Sequence, residues 1–321
     1  MTQAKGTRLQ TMAKTLTSFR RSTAPLRVAH TAVWFGVLFL TMLAGVAQAD
    51  EWELTWSDEF NTKGLPDKDK WDYEEGFCRN EEKQYYTRER KENVRVEGGS
   101  LVIEGRKETF KNPKHKPGSK KWKEQDVAQY TSGSINTLGK MEFKYGRIEV
   151  RAKVPQGKGM WPAIWMMGPT INKVGWPRCG EIDIMEYVGK DPDTIHANNH
   201  FANPEIKDKA VHKSGGGGKI KIKEPYNDFH IFAIEWTEKE IKFFVDDKQY
   251  ATFDIDMAGK GPDNPFRKPH YLLLNLAMGG SWGGKVDDTV FPQKYEIDYV
   301  RYYKGKTGQQ QKAGGNIRHD V

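Results

Sequence analysis

Cysteine is scarce in this chain, and regular metal-binding spacings are missing. Only Cys78 and Cys179 occur among the 321 residues. They form neither a Cys-x-x-Cys pair nor a Cys/His set with zinc-finger spacing, so the sequence predicts no structural zinc site of that kind. His196 and His200 lie close together in the chain, but the sequence offers no evident third zinc ligand beside them.

A long hydrophobic run is also missing. The one uncharged apolar segment, residues 31–46, is shorter than the ~20 residues that a membrane-spanning helix requires. It precedes Ala-Gln-Ala at 47–49, the small-x-small pattern of a secretory cleavage site. We therefore expect residues 1–49 to be a signal segment. The mature chain would begin at Asp50 and be secreted, periplasmic or held at the outer surface, without stable membrane association. An uncleaved anchor through 31–46 is the alternative.

The mature chain lacks a large excess of either charge. The formal net charge of +8 arises mainly in residues 1–49, which hold six Lys and Arg and no acid. Removing those six leaves 45 basic against 43 acidic residues, so a nucleic-acid partner is not predicted.

Basic residues nevertheless cluster between positions 111 and 123, where Pro and Gly indicate a surface loop. We call this segment the lysine loop. The sequence leaves two interpretations open: a solvated loop, or a contact with an anionic polysaccharide, for example a sulfated one. Its basic residues are Lys111, Lys114, His115, Lys116, Lys120, Lys121 and Lys123.

Amphipathic helical periodicity over twelve or more residues is hard to find. Short β-rich segments separated by Gly and Asp turns dominate instead, which predicts an all-β sandwich of two sheets. We expect one domain over residues 50–304, long enough to bury a full core, and a flexible polar tail over 305–321. Four glycines at 215–218 predict a flexible loop that leads into a lysine-rich edge strand. The clearest strand segments are residues 100–105, 147–152, 229–236 and 240–245.

The most informative motif is Gly-Glu-Ile-Asp-Ile-Met-Glu at residues 180–186. On a strand, Glu181 and Asp183 point to the same face. Glu186 joins them only if a β-bulge at or near Met185 accommodates one extra residue, and bulges are frequent beside active sites. Carboxylates this close repel each other, so at least one should keep its proton at a pH where an isolated carboxyl group would have lost it. A charged carboxylate beside a protonated one is what glycosidic bond cleavage requires.

An acidic strand face is more often simply solvated, but the neighbouring residues favour a catalytic site here. Trp161, Trp165 and Trp176 precede the motif, and aromatic faces are good platforms for sugar rings. Trp161 and Trp165 have the same strand parity, so both can face one cleft. Packing in the core is the alternative for each of them.

Trp-Pro-Ala-Ile-Trp at 161–165, followed by Gly-Glu-Ile-Asp-Ile-Met-Glu-Tyr-Val-Gly at 180–189, resembles glycoside hydrolase family 16 on its laminarinase (endo-1,3-β-glucanase) branch. The resemblance covers nearly all of residues 52–304. It implies a retaining β-glycanase on a β-jelly-roll sandwich of two antiparallel sheets with a concave substrate cleft. The motif has two residues between Asp183 and the last Glu, which is typical of laminarinases and agarases. Lichenases carry one residue there. Other matching segments are residues 56–60, 80–87, 146–153, 275–282 and 295–301.

The resemblance implies a role for each acid of the motif. Glu181 would be the nucleophile, and Glu186 the general acid and later the general base. Asp183 would lie between them and balance the charge. Such enzymes hold the two carboxyl groups ~5–5.5 Å apart, and the resemblance implies no cofactor for catalysis.

The same resemblance extends to the substrate cleft. Asn80 and Trp282 match positions that line it, and His200 matches a family histidine. Asn198 and Asn199, however, stand where laminarinases carry Thr and an apolar residue, which puts the exact glucan in doubt. The predicted substrate-binding residues are Asn80, Trp161, Trp165, Trp176, His200 and Trp282.

Family members often hold a structural calcium ion. The matching positions are Glu59 and Gly99, through backbone carbonyls, and Asp298, through its carboxylate; oxygen ligands of this kind suit calcium. Since an exported protein meets an oxidising environment, a disulfide between Cys78 and Cys179 would join two cleft elements. Two free thiols are the alternative.

Together these features predict an exported, monomeric, retaining endo-β-glycanase that acts on a polysaccharide, 1,3-β-glucan. A marine galactan hydrolase of the agarase or porphyranase type is the alternative within the same family. A non-catalytic β-glucan-binding protein is a further alternative. The intact acids Glu181, Asp183 and Glu186 argue against it.

Overall fold

The computed structural model describes residues 52–206 and 208–306. The predicted signal segment 1–49 and positions 307–321 of the predicted tail lie outside the described residues. None of the helices in the described part is long and apolar enough to cross a membrane.

Strands account for nearly all regular structure, as the sequence predicted, and the helices are single turns. The helices are α1 (Ile171–Val174) and α2 (Gly280–Gly283), with 3-10 turns at Trp122–Glu124, Ile255–Ala258, Pro265–Arg267 and Asp288–Val290. The strands are β1 (Trp52–Asp58), β2 (Asp72–Tyr73), β3 (Gln84–Tyr86), β4 (Val94–Glu97), β5 (Ser100–Lys111), β6 (Val127–Ser132), β7 (Ser134–Asn136), β8 (Gly146–Lys153), β9 (Met160–Met167), β10 (Glu181–Tyr187), β11 (Thr194–Ala202), β12 (His212–Ser214), β13 (Gly218–Lys221), β14 (His230–Trp236), β15 (Glu240–Val245), β16 (Lys248–Asp254), β17 (Tyr271–Met278) and β18 (Gln293–Gly305).

These strands form two sheets, which confirms the predicted jelly-roll sandwich. The larger sheet has the order β16-β15-β14-β8-β18-β5-β6-β3, with β1 paired to β18 and β4 to β5. The smaller has the order β12-β11-β10-β9-β17-β7-β2, with β13 paired to β11. Pairing is antiparallel except between β3 and β6. Because β1 pairs with β18, the first and last described strands are neighbours in the larger sheet.

Side-chain alternation explains how the sheets pack. On β8, every second residue is buried, including Ile148 and Val150, and these side chains join the core between the sheets. The central strands β9 and β17 are buried along their whole length. One face of each supplies the inter-sheet core, and the opposite face carries bulky residues under a cleft. Because both faces of β9 and β17 are buried, their sequences are mostly apolar instead of alternating between apolar and polar residues.

The glycine run 215–218 is packed, contrary to the flexible loop predicted from sequence. A Cβ on Gly216 would lie 2.3 Å from the Phe253 ring, and one on Gly217 would lie 2.1 Å from the Ala197 carbonyl oxygen. Since real side chains do not approach so closely, the glycines allow this segment to lie directly against β11 and β16. Close backbone approach, rather than mobility, accounts for them.

Both cysteines are free thiols, so the predicted disulfide is not formed. Cys179 is buried with its sulfur 3.4 Å from that of Met167. The Cys78 sulfur lies 3.7 Å from the carbonyl oxygen of Gly76 in its own turn. Each thiol is therefore satisfied locally, and burial raises the pKa of the Cys78 thiol to about 12 and that of Cys179 to about 11.

Candidate active site

A cleft of about 1750 Å³ lies on the face of the smaller sheet that is turned away from the core. Strands β9, β10, β11 and β17 form its floor. All three acids of the sequence motif line it, as do all six predicted substrate-binding residues. The sequence therefore identified side chains that the fold brings to one surface.

The three acids share a face because β10 is bulged. In the pairing with β9, Asp183 stands opposite Trp165 and Met185 opposite Ile164, so one extra residue lies between them. Ile184 and Met185 consequently both enter the core, and both are fully buried. The bulge at or near Met185 that the sequence predicted is thereby confirmed, and it returns Glu186 to the cleft.

Tryptophan indoles hold the two outer carboxylates. Trp176 donates from Nε1 to Glu181 Oε2 at 2.8 Å, and Trp161 donates from Nε1 to Glu186 Oε1 at 3.0 Å. Each bond fixes one oxygen and leaves the second available. Fixed carboxylates of this kind limit the reorganisation that a reaction requires.

Burial and mutual repulsion hold protons on this cluster. Burial, reinforced by the charge of Asp183, raises the pKa of Glu181 to about 8. Burial also raises the pKa of Asp183. The same two causes, burial first, raise the pKa of Glu186 well above its usual value, against the opposing bond from Trp161. Burial and the neighbouring charge thus favour the protonated form in this cluster, and a protonated carboxyl beside an ionised one is what glycosidic bond cleavage needs.

A histidine pair borders the central acid. His200 Nε2 lies 3.0 Å from Asp183 Oδ2 and 4.0 Å from Glu181 Oε1. Its other nitrogen, Nδ1, is 2.8 Å from His212 Nε2, and the two rings stack. His212, whose ring also lies tilted against that of Trp176 with centroids 4.6 Å apart, was missed by sequence reasoning. It lies twelve residues after His200 on a separate strand, with no motif around it.

The tryptophans differ in how much surface they can offer a sugar. Trp176 is 45% exposed. Trp165 is only 6% exposed: it donates to Asn275 Oδ1 at 2.7 Å, and the Arg79 guanidinium covers its ring at 4.8 Å. Trp165 therefore makes the packing contacts of the alternative that the sequence left open, and it offers a ligand little free surface. Arg79 is distant from Trp165 in the chain, and no sequence pattern pointed to their contact.

Trp161 and Trp282 form an edge-to-face pair with ring centroids 5.4 Å apart. Trp161 is 8% exposed, whereas Trp282 is only partly buried and also meets the His196 ring edge-on at 5.0 Å. Trp282 is thus the better placed of the two to contact a ligand. Asn80 supports this corner, because its carbonyl accepts from the Ser281 amide at 2.9 Å.

Successive residues of β11 alternate between the cleft and the buried side of the sheet. His196, Asn198 and His200 line the cleft, while Asn199 is fully buried and donates to the Gly215 carbonyl at 3.2 Å. Of the two asparagines that depart from the laminarinase pattern, only Asn198 can meet a substrate.

The lysine loop reaches the cleft as well. Lys114, Lys116 and Lys123 are among the lining residues. Lys114 Nζ donates to the Glu75 carbonyl at 3.0 Å, and Trp122 packs against Phe77 at 5.5 Å. These contacts attach the loop to the cleft wall.

The predicted calcium ligands do not form a ready cation site. The carboxylate of Asp298 is paired with the Arg151 guanidinium at 2.6 Å. The side chain of Glu59 is likewise paired with Arg301, at 2.8 Å. A calcium ion on Asp298 would have to displace Arg151, because the guanidinium occupies the only side-chain ligand of the proposed set. Calcium binding here stays a prediction that this geometry does not favour.

Comparisons with known proteins give a consistent result. The family model of glycosyl hydrolases family 16 matches residues 81–301. A β-glucanase of Rhodothermus marinus is 42% identical over 291 residues, which cover 86% of this chain and 94% of that protein. The solved laminarinase of Rhodothermus marinus has 42% identity and a TM-score of 0.68, covering 80% of this chain and 99% of its own. A structure from work on endo-acting O-glycanases of the human gut microbiota, which initiate mucin breakdown, has 41% identity and a TM-score of 0.74, covering 80% of this chain and 92% of its own.

Proposed function

The chain belongs to glycosyl hydrolases family 16, and from this premise we propose that it is an exported, retaining endo-β-glycanase that hydrolyses 1,3-β-glucan. One observation carries the proposal. A bulged strand presents Glu181, Asp183 and Glu186 together in a long open cleft. The glucan-specific part rests on similarity to a β-glucanase and a laminarinase.

The geometry supports a two-step reaction. In the first step Glu186 donates its proton to the glycosidic oxygen as the C1–O bond breaks, and a Glu181 oxygen bonds to C1. In the second step the Glu186 carboxylate takes a proton from water, the water oxygen bonds to C1, and Glu181 leaves with its electron pair. Through its indole N–H, Trp176 stabilises the charged form of Glu181 before the carboxylate attacks C1 and after it is released.

Asp183 has a supporting role in this scheme. It lies between the two glutamates on the same strand, with only 3% of its surface exposed. A negative charge there disfavours ionisation of both neighbours. Asp183 thus helps Glu186 to keep the proton that it must donate.

The cleft favours attack within a chain over attack at its end. Aromatic side chains lie beside both outer acids: Trp176 contacts Glu181, and Trp161, which contacts Glu186, pairs with Trp282. A polymer can therefore contact the protein on both sides of the scissile bond, as an endo-acting enzyme requires.

Product analysis tests the proposal. The protein is incubated separately with laminarin, mixed-linkage glucan, agarose and porphyran, and new reducing ends are identified. We expect laminarin to be cut internally, with the β-anomer appearing first by NMR. An α-anomer as the first product would refute retention, and cleavage of only the galactans would refute the glucan assignment.

One observation favours a second candidate, an anionic galactan. Lys114, Lys116 and Lys123 line the cleft, and a sulfated chain would pair with them, whereas a neutral glucan would not. Substituting all three by Gln should reduce cleavage of porphyran and leave laminarin unaffected if this candidate is correct. The intact acids continue to disfavour a purely glucan-binding protein.

Export and a monomeric state complete the proposal. The support for export is the small-x-small pattern at 47–49 after an apolar run. N-terminal sequencing of exported protein should begin at Asp50, and sedimentation should give the mass of one chain. Recovery of the chain from membranes with residues 31–46 intact would indicate an anchor instead.

A further inference from the structure

Three potential metal ligands converge in the cleft. Glu181 Oε1, Asp183 Oδ2 and His200 Nε2 all lie within 4.8 Å of one another. They come from the paired strands β10 and β11, where Glu181 stands directly opposite His200. Two carboxylate oxygens and one imidazole nitrogen are thus fixed by the register of a sheet rather than by a mobile loop.

The central atom of this group lacks a hydrogen-bond partner. Asp183 is 3% exposed, yet its Oδ2 accepts no hydrogen bond from any residue that the structure describes. His200 Nε2 approaches it to 3.0 Å without the alignment that a hydrogen bond needs. A buried carboxylate oxygen left in this state is costly, so a ligand that satisfies it would bind favourably.

His200 Nε2 and Asp183 Oδ2 are close but do not point at each other, which is the arrangement expected of two atoms that bind one ion. With metal–nitrogen and metal–oxygen bonds of about 2.0–2.2 Å in a tetrahedral site, two ligand atoms lie ~3.4 Å apart. The imidazole lone pair then points at the ion and not at the other ligand. A separation of 3.0 Å between His200 Nε2 and Asp183 Oδ2 is within a small adjustment of that arrangement.

Neighbouring groups already orient the ligands. His200 Nδ1 lies 2.8 Å from His212 Nε2, so it can donate there and keep the lone pair on Nε2, as metal-binding histidines generally do. That lone pair faces Asn198 Nδ2 at 3.3 Å, and an ion would replace this contact. Trp176 donates to Glu181 Oε2, which leaves Oε1, the oxygen that belongs to the group. The side facing the cleft is open for a water molecule as the fourth ligand.

We propose that Glu181, Asp183 and His200 bind one divalent transition metal ion, such as Zn²⁺, in the substrate-free cleft, and that the bound ion stops hydrolysis by occupying the Glu181 carboxylate. A mixed imidazole and carboxylate set suits zinc, cobalt, nickel or copper. Calcium and magnesium prefer oxygen ligands throughout, so they bind far more weakly here.

Metal titration tests the binding. Protein without a polyhistidine tag is stripped with EDTA, dialysed, and titrated with Zn²⁺ by calorimetry and with Co²⁺ by visible absorption. We expect one equivalent to bind, with the intense bands of a tetrahedral cobalt site. His200→Gln should weaken binding by more than tenfold, and His212→Gln by about 10–100-fold, the usual effect of losing a residue that orients a ligand.

His196→Gln is the matched control, because His196 lies on the same strand and lines the same cleft but is outside the group. The His196→Gln variant should bind Zn²⁺ with the same affinity as the wild type. The proposal is overturned if His200→Gln, shown to be folded by circular dichroism, binds Zn²⁺ as tightly as the wild type, or if His196→Gln loses as much affinity.

Inhibition forms the second arm of the test. Saturating Zn²⁺ should abolish hydrolysis, EDTA should restore it, and equal Mg²⁺ should have no effect; full activity with Zn²⁺ bound would overturn the inhibitory role. The titration itself uses no polysaccharide, so it stays decisive even if the glucan assignment fails.

Discussion

Trp176 donates a 2.8 Å hydrogen bond to Glu181 although 45% of its surface is exposed. An indole this exposed contributes little to the core. Its ring instead packs, tilted, against that of His212 with centroids 4.6 Å apart. The bond stabilises the charged carboxylate, as its opposing effect on the raised pKa of Glu181 indicates. Trp176 therefore contributes more to holding the Glu181 carboxylate than to stabilising the fold.

Replacing Trp176 by Phe should separate these two contributions. Phenylalanine keeps an aromatic ring for stacking but removes the N–H donor. Because a hydrogen bond to a charged group is worth about 1.5–3 kcal/mol, we expect kcat/KM to fall by about tenfold or more, with a small change in melting temperature. Steady-state kinetics beside thermal unfolding measure both quantities. Wild-type kinetics in the Phe variant would show that the bond is irrelevant to turnover.

Azide rescue should distinguish the roles of the two glutamates. In Glu186→Ala the glycosyl-enzyme still forms on a substrate with a good leaving group, and azide can then attack without a general base. The expected product is a β-glycosyl azide with partly restored turnover. Glu181→Ala cannot form that intermediate, so it should not give the same product. Product NMR decides the matter, and a β-azide from the Glu181 variant would reverse the assignment.

The raised pKa of Glu181 should appear as a pH-dependent cost in stability. Burial raises the folded-state pKa of Glu181 to about 8, above its ordinary value of 4.5. Folding therefore favours the protonated form, and this stabilisation is lost as pH rises from about 4.5 through 8. Glu181→Gln cannot ionise, so its advantage over wild type should grow over that interval, to a few kcal/mol at most given about 1.36 kcal/mol per unit. Melting temperatures between pH 5 and 9 measure it. A constant difference would contradict the burial argument.

The bulged strand could be predicted from the sequence because it depends only on neighbouring residues. Side chains alternate along a strand, and Ile184 and Met185 are both apolar. The sequence predicted the cleft-facing parity of Trp161 and Trp165 for the same reason. Contacts between distant segments were beyond it. The covering of Trp165 by Arg79 and the pairing of His200 with His212 both depend on how the strands and loops pack.

Two tryptophans should respond differently to truncation. Trp165 is 6% exposed and packs under Arg79, so Trp165→Ala should lower the free energy of unfolding by roughly 3–5 kcal/mol. Trp282 is only partly buried beside Trp161. Trp282→Ala should weaken binding of a long oligosaccharide by about tenfold, on the scale of ~1–3 kcal/mol for aromatic stacking on bases, with a smaller stability loss. Denaturant unfolding and oligosaccharide affinity test the pair, and equal effects of both variants on stability would refute the distinction.

The glycine run offers a direct test of packing against flexibility. Gly216 has a positive φ of +65° and no room for a Cβ beside Phe253, whereas Gly139 has a similar φ of +71° with nothing within 4 Å. Gly139→Ala should therefore show the backbone cost alone, about 1 kcal/mol. Gly216→Ala should lose about 1–3 kcal/mol more, because Phe253 must move within a packed core. Chemical denaturation of both variants measures the difference. Equal losses would mean that the segment yields freely, as the sequence alone suggested.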